Sequence, residues 1–336
     1  MTVRMGINGF GRTGRALLRA ADRAELDLEV VAVNDLGPPE ALAGLLARDS
    51  VFGRYPVPVS TSGHVMTVGD HQITLLGEPQ IQALPWSDLG VDVVVEATGR
   101  FTSRDAASGH LEAGAPRVVI SAPSSGADAT FVIGVNDGDF DPARHRVVSN
   151  ASCTTNCLAV LAKVVDDAFG IEDGFVTTVH AYTGDQKLVD GLHKDPRRAR
   201  AAGVNIVPTT TGAARTTGLV LPGLEGRLDA VALRVPVADG SITDLVANLR
   251  TAPSNDDVRA AFREAATGPL QGVLEYSEEP LVSSDIVGAS ASCVFDAGLT
   301  MTRGAVAKVF GWYDNEWGYA NRLAELAAKV GGAPRA

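Results

Sequence analysis

The chain has 336 residues, 45% apolar and 21% charged, with 36 glycines and three cysteines. That length suggests two domains of about 150 residues, the ordinary composition excludes a disordered or fibrous chain, and no run approaches the roughly 18 apolar residues of a membrane span. With 40 acidic against 29 basic side chains the formal charge is −11, a field that repels phosphate backbones and argues against nucleic acid as the main partner.

The start, MTVRMGINGF, runs directly into a strand-like stretch and lacks the basic, apolar and small-residue pattern of a secretory signal. An odd cysteine count in a chain this long argues against a disulfide framework. A reducing cytoplasm is the expected compartment.

The first 150 residues alternate strands and helices. Met5–Ile7 is a strand, Arg15–Ala24 a helix, Glu29–Asn34 a strand and Pro39–Ala47 a helix. Further strands are predicted at Val91–Ala97, Arg117–Ser121, Thr130–Gly134 and Arg146–Ser149. These runs are β-branched and apolar without alternation, as in a parallel sheet buried on both faces. Between the first strand and helix, Gly9-Phe10-Gly11-Arg12-Thr13-Gly14 fits G-x-G-x-x-G. The first glycine permits the turn, the second lets backbone approach a pyrophosphate, and Gly14 lets the helix pack on the strand. Asp35 follows Gly14 by 21 residues at the end of the next strand, where an acid suits the ribose hydroxyls of NAD and repels the 2′-phosphate of NADP.

The pattern changes near residue 150. Asn150–Thr154 leads into a helix over Asn156–Phe169, followed by alternating strands in FVTTVHAY, DAVALRVPV, SITDLVANL and GAVAKVFGWY. Alternation favours an antiparallel sheet with one covered face. Ser254–Ala266 and Glu316–Lys329 read as helices. Cys153 stands at a helix start, which favours a thiolate; Cys157, one turn on, reads as an inert small hydrophobe. Of six histidines, His180 is the candidate base, on the strand after the cysteine helix; His64, His71, His110 and His145 read as surface residues. No familiar ligand spacing joins Cys153, Cys157 and His180, so no metal is expected.

INGFGR, VNDL, EATGRF, ISAP, SNASCTTNCLA, HKDPRRAR, PTTTGAA, LRVP and WYDNEWGY occur in order from Val3 to about Val330. On these motifs the chain resembles the phosphorylating glyceraldehyde-3-phosphate dehydrogenase family. The resemblance implies an α/β chain with a Rossmann NAD domain at 1–150 and an α+β catalytic domain with a mostly antiparallel sheet at 151–315. A C-terminal helix at 316–336 is expected to pack back on the first domain. It implies a cytoplasmic homotetramer, with the loop from about Tyr182 to Ala202 at a subunit interface.

By the same resemblance Cys153 is the nucleophile and His180 the base. Thr183, Arg198 and Arg234 hold the phosphate of glyceraldehyde 3-phosphate, and Ser152, Thr154, Thr211 and Gly212 hold the attacking inorganic phosphate. Asn315 holds the nicotinamide amide, with Tyr319 beside the ring. Arg12 and Thr13 occupy the pyrophosphate turn, Asp35 the ribose contact, and Thr98, Gly99 and Ser121 line the cofactor cleft. The basic run His193–Arg200 then supplies Arg198 to a dianion within an acidic protein.

Four departures from the family pattern stand out. Thr13 replaces Ile; Gly191-Leu192 replaces a Leu-Pro pair that helps exclude NADP, leaving NADP as a weaker second cofactor. Pro196 replaces Leu, and Val235–Ser241 (VPVADGS) replaces the commoner pattern in RVPTPNVS. The alternatives are an erythrose-4-phosphate dehydrogenase, whose members usually lack the Thr-Gly present here as Thr211-Gly212, a specialised paralogue, or a non-enzymatic NAD-sensing or RNA-binding protein on the same scaffold.

Overall fold

The computed structural model describes residues 2–24 and 26–334. Residues 1, 335 and 336, at the outer ends of the expected ranges 1–150 and 316–336, and residue 25 lie outside the described residues. The chain divides into two compact units. One comprises the chain up to Phe131, Asp137–Ala151 and the chain from Ala320; the other comprises Val132–Asn136 and Ser152–Tyr319.

The first unit begins β1 (Val3–Asn8), α1 (Arg12–Arg23), β2 (Leu28–Asn34). Both strands are buried along nearly their whole length, as apolar runs without alternation require. β1 pairs in parallel with β2 on one side and with β3 (Val93–Glu96) on the other. Beyond β3 the sheet continues through Val118–Ile120, Val147–Ser149 and Ala129–Thr130; beyond β2 it continues through His71–Leu76 and ends in a hairpin, Val65–Val68 and Val59–Ser62. All neighbours are parallel except those of the hairpin. The sequence order therefore reverses at β1, and the carboxyl ends of β1, β2 and β3 lie side by side, the usual place for a ligand in an open α/β sheet. The C-terminal segment completes this unit: Gly331 is packed so closely on Val3 and Val93 that an added Cβ would come within 2.9 Å of both, and Arg117 Nη1 donates to the Ala333 carbonyl at 3.0 Å.

The strand expected at Thr130–Gly134 is shorter. Pairing stops at Thr130, because the Asn136 side chain accepts from Val132 N at 2.9 Å and Gly134 turns at φ +80° against Leu270 and Val273. Those contacts draw Val132–Asn136 into the second unit.

The second unit is built on α2 (Cys153–Phe169) and a mixed, mostly antiparallel sheet. At its centre β4 (Ile171–Ala181) pairs in parallel with β5 (Leu228–Val235) and antiparallel with β6 (Ser241–Leu249), which pairs antiparallel with β7 (Val306–Tyr313). Leu158, Leu161 and Val165 of α2 join Leu245, Val309 and Phe295 in one core, and Phe262 stacks on Phe295 with centroids 3.8 Å apart. Each such side chain contributes about 1.5–3 kcal/mol on burial. Cys157 and Cys293 are also buried there. Gly311 of β7 is essential to this packing, since a Cβ would fall 2.5 Å from one sulfur and 3.0 Å from the other.

Among the described residues, no helix is long and apolar enough to cross a membrane.

Candidate active site

In the first unit the turn between β1 and α1 is a cradle. Gly9 has φ +97°, and a Cβ there would lie 2.6 Å from Thr98 N; a Cβ on Gly14 would lie 2.1 Å from the Gly9 carbonyl. A Cβ on Gly11 would meet no protein atom within 4 Å, so it would project into the cavity of about 300 Å³ that Gly11 lines with Gly9, Asp35 and Thr98. A dinucleotide fits these three requirements: a tight turn, close helix packing and an open approach for phosphate at a helix start. Asp35 is fixed by Phe10 N at 2.8 Å and Gly37 N at 2.9 Å. Half-buried Arg12 reaches Asp49 at 2.7 Å, and Thr13 is half-buried beside it.

Thr98 is held from beneath. Its N–H donates to Glu96 Oε1 at 2.8 Å, while Asn8 donates to Oε2 at 2.6 Å and His110 Nε2 lies 3.1 Å from it. Trp86 Nε1 donates to His110 Nδ1 at 3.1 Å, so Nδ1 is the acceptor and the proton sits on Nε2, facing the carboxylate. His110 is therefore wholly buried and not a surface residue, and His145 is half-buried; an amphipathic reading could not see partners drawn from distant strands. Gly99 follows at φ +69°, and Ser121 N donates to the Glu96 carbonyl at 3.0 Å.

The second unit carries the thiol. Ala151, at φ +57°, is the only non-glycine among the described residues with positive φ, a conformation costing about 1 kcal/mol or more. It swings the chain into α2, where Ser152 caps the helix by accepting from Thr155 N at 3.1 Å. Cys153 is thereby the first helical residue. Its Sγ lies 3.4 Å from His180 Nε2. On the other side of the ring, His180 Nδ1 lies 2.7 Å from the Ala181 carbonyl, and Arg234 Nη1 stands 2.5 Å from the same nitrogen. Parallel pairing puts His180 beside Arg234.

These contacts set the protonation state. Burial, and then the Arg234 charge, drive His180 down to about 3. Burial pushes the Cys153 thiol up, although Arg234 and the Thr154 N–H and hydroxyl draw it back. Both shifts run toward the neutral forms, thiol and imidazole. The helix start therefore does not dominate the thiol as the sequence suggested; desolvation outweighs it. The Ala181 carbonyl also accepts from Arg234 Nη1 at 3.1 Å; with Nδ1–H and the guanidinium both donating to that carbonyl rather than to each other, Nε2 is left to take the thiol proton.

The remaining expected residues of this unit have the following local contacts. Thr154 Oγ1 is 2.9 Å from the Tyr313 hydroxyl, which is 2.7 Å from Thr178. Arg198 is held by Asp185 at 2.8 Å and Thr209 at 2.9 Å. Half-buried Thr183 accepts from Gln186 N at 2.9 Å. Thr211 Oγ1 accepts from Ala213 N at 3.2 Å at the start of α3 (Ala213–Val220), whose first cap is Gly212. Asn315 accepts from Ser241 Oγ at 2.7 Å, and Tyr319 is buried in α4 (Trp317–Gly331).

Sequence reasoning assigned no role to Tyr313, Asp185 or Ser241. Tyr313 stands edge-on to His180, with centroids 5.9 Å apart; its place in the WYDNEW run was the available signal. Nothing local marks Ser241, whose partner Asn315 lies in the turn after β7.

The chain is similar to known proteins along nearly its whole length. The model of the glyceraldehyde 3-phosphate dehydrogenase NAD binding domain matches residues 3–104, and that of its C-terminal domain matches residues 152–315. Glyceraldehyde-3-phosphate dehydrogenase 2 of Streptomyces arenae is 59% identical over 98% of this chain and 99% of its own. The glyceraldehyde-3-phosphate dehydrogenase of Mycobacterium avium is 56% identical over the same shares, and number 2 of Streptomyces avermitilis is 52% identical, again over those shares.

Proposed function

The chain belongs to the glyceraldehyde 3-phosphate dehydrogenase family, and from that premise we propose how its residues divide the work. It is a glycolytic NAD-dependent oxidoreductase acting on glyceraldehyde 3-phosphate. The observation that carries the assignment of roles is the contact of Cys153 Sγ with His180 Nε2, with the Arg234 guanidinium against the far side of the ring.

Nε2 takes the thiol proton as Sγ attacks the aldehyde carbon, and returns it to the new oxygen, giving a hemithioacetal. The Cys153 N–H at the helix start stabilises charge on that oxygen. His180 then removes the hydroxyl proton as the carbon loses hydride, and a thioester remains. Bound NAD supplies the hydride acceptor. Inorganic phosphate attacks the thioester carbon, the C–S bond breaks, and the sulfur regains its proton from His180. Arg198, Arg234 and Thr183 bind the substrate's phosphate; Ser152, Thr154, Thr211 and Gly212 bind the attacking one. Gly9, Gly11, Arg12, Thr13, Gly14, Asp35, Thr98, Gly99, Ser121, Asn315 and Tyr319 bind NAD.

Asp35 disfavours NADP, and the exposed Gly191-Leu192 pair leaves NADP as a weaker second. Leu188, Val189 and Leu192 are 88%, 72% and 98% exposed, an apolar surface on the loop assigned to a subunit interface, which supports a homotetramer. A cytoplasmic enzyme accords with free, reduced cysteines.

Replacing Arg234 tests this reading. In Arg234→Gln, loss of a charge-assisted phosphate contact raises KM for glyceraldehyde 3-phosphate roughly tenfold to a hundredfold. Because the guanidinium depresses His180, its removal raises the base's pKa, and the acid limb of kcat/KM moves to higher pH. An acid limb that stays in place while KM rises would separate Arg234 from the base.

A further inference from the structure

Two buried carboxyl groups stand at the end of the β6–β7 pair. β6 and β7 are in register at Ser241 and Tyr313, which brings the residues preceding Ser241 beside those following Tyr313. Asp239 is 3% exposed and Asp314 1%. Asp314 is fully supplied with donors: Oδ1 accepts from Glu316 N at 2.9 Å and Trp317 N at 2.6 Å, and Oδ2 from Gly288 N at 2.8 Å. Burial pushes Asp314 up, and the three backbone donors draw it back toward the charged carboxylate. Asp239 receives only Gly240 N, at 2.9 Å on Oδ1; its Oδ2 is buried with no donor.

The charged groups acting on Asp239 are Asp314 and Glu316, both acidic. The adjacent short helix Ser283–Ile286 adds Asp285, exposed and bonded to Val282 N at 2.8 Å. A second buried anion beside Asp314 would be uncompensated, as for any like-charged pair sharing a site. One proton would resolve the arrangement: placed on Asp239 Oδ2, the atom without a partner, it could be donated to the Asp314 carboxylate that acts on Asp239. Burial, then the charges of Asp314 and Glu316, push Asp239 up to about 8.

The backbone here has little slack. Gly240 has φ +85°, and an added Cβ would lie 2.3 Å from the Ser283 carbonyl. Next in sequence, Ser241 Oγ accepts from Ala181 N at 3.1 Å and donates to Asn315 Oδ1 at 2.7 Å. Asp239 thus reaches Asn315 by two routes, along the chain through Ser241 and across the shared proton through Asp314.

We propose that Asp239 is a positioning residue: as a neutral acid it donates to Asp314, and this bond holds Ser241 and Asn315 in the arrangement that receives the nicotinamide amide. The proposal rests on the role given to Asn315 above. Loss of the proton leaves two buried anions in contact, loosens the turn and weakens NAD binding reversibly. An asparagine, as in the commoner family pattern, offers an amide N–H to Asp314 and has no proton to lose.

The test is NAD affinity by quenching of tryptophan fluorescence, from neutral pH to about two units above, in the wild-type protein and Asp239→Asn, with infrared spectra over the same range. The expected result is a wild-type dissociation constant that rises about tenfold, in step with the disappearance of a protonated-carboxyl carbonyl band, while Asp239→Asn lacks the band and keeps a flat profile. Superimposable affinity profiles, or no protonated-carboxyl band at neutral pH, would overturn the proposal. The wild-type band needs no variant, so it decides the protonation even if Asp239→Asn fails to fold. Asn315→Ala separates the premise: it should weaken NAD at every pH, and unchanged affinity there would refute the role of Asn315 whether or not the band titrates.

Discussion

Cys153→Ser should abolish the phosphorylating oxidation of glyceraldehyde 3-phosphate, by at least about 10⁴-fold in kcat, while NAD still binds. The sulfur lies within proton-transfer reach of one base, and the described residues offer no second thiol that could replace it, because Cys157 and Cys293 are buried in the core. A serine hydroxyl in the same place is far less acidic than a thiol, and His180 is a weak base in its present surroundings. Turnover and NAD affinity measured on the same protein distinguish a lost nucleophile from a lost fold. Substantial retained turnover would remove Cys153 from the mechanism.

The second large effect falls on His180. His180→Asn should lower kcat by about 10²–10⁴-fold, because proton transfer at both the thiol and the hemithioacetal hydroxyl passes through Nε2. The same variant should slow alkylation of Cys153 near neutral pH. Burial already pushes the thiol up, and the neighbour able to accept its proton would be gone. Thiol alkylation against pH, followed alongside turnover, checks both consequences. A variant slow in turnover but unchanged in alkylation would confine His180 to the hydride step.

Much of this was legible in the chain because the informative signals are local. The turn Gly9–Gly14 between an apolar strand and a helix places a cradle, and alternation in SITDLVANL gives Ser241–Leu249 its bounds. The helix around Cys153 starts earlier than its apolar period suggests, since Ser152 supplies the cap. What stayed hidden depends on distant partners. His110 looks like a helix-surface residue until Trp86, Glu96 and Asn8 surround it. The electrostatics of Cys153 could not be read from its helix position alone, because the opposing desolvation comes from packing. The electrostatic interaction of Asp239 with Asp314 depends on the ends of two strands meeting, which no local pattern in VPVADGS reveals.

The most direct test is the initial rate of nicotinamide reduction with glyceraldehyde 3-phosphate, with NAD and with NADP, each with and without inorganic phosphate. Fast reduction of NAD that requires phosphate, with NADP slower, is the expected result; the ratio of the two cofactors measures how far Gly191-Leu192 offsets the exclusion by Asp35. No turnover with either cofactor, in folded and reduced protein, would contradict the roles given to Cys153, His180, Arg198 and Arg234.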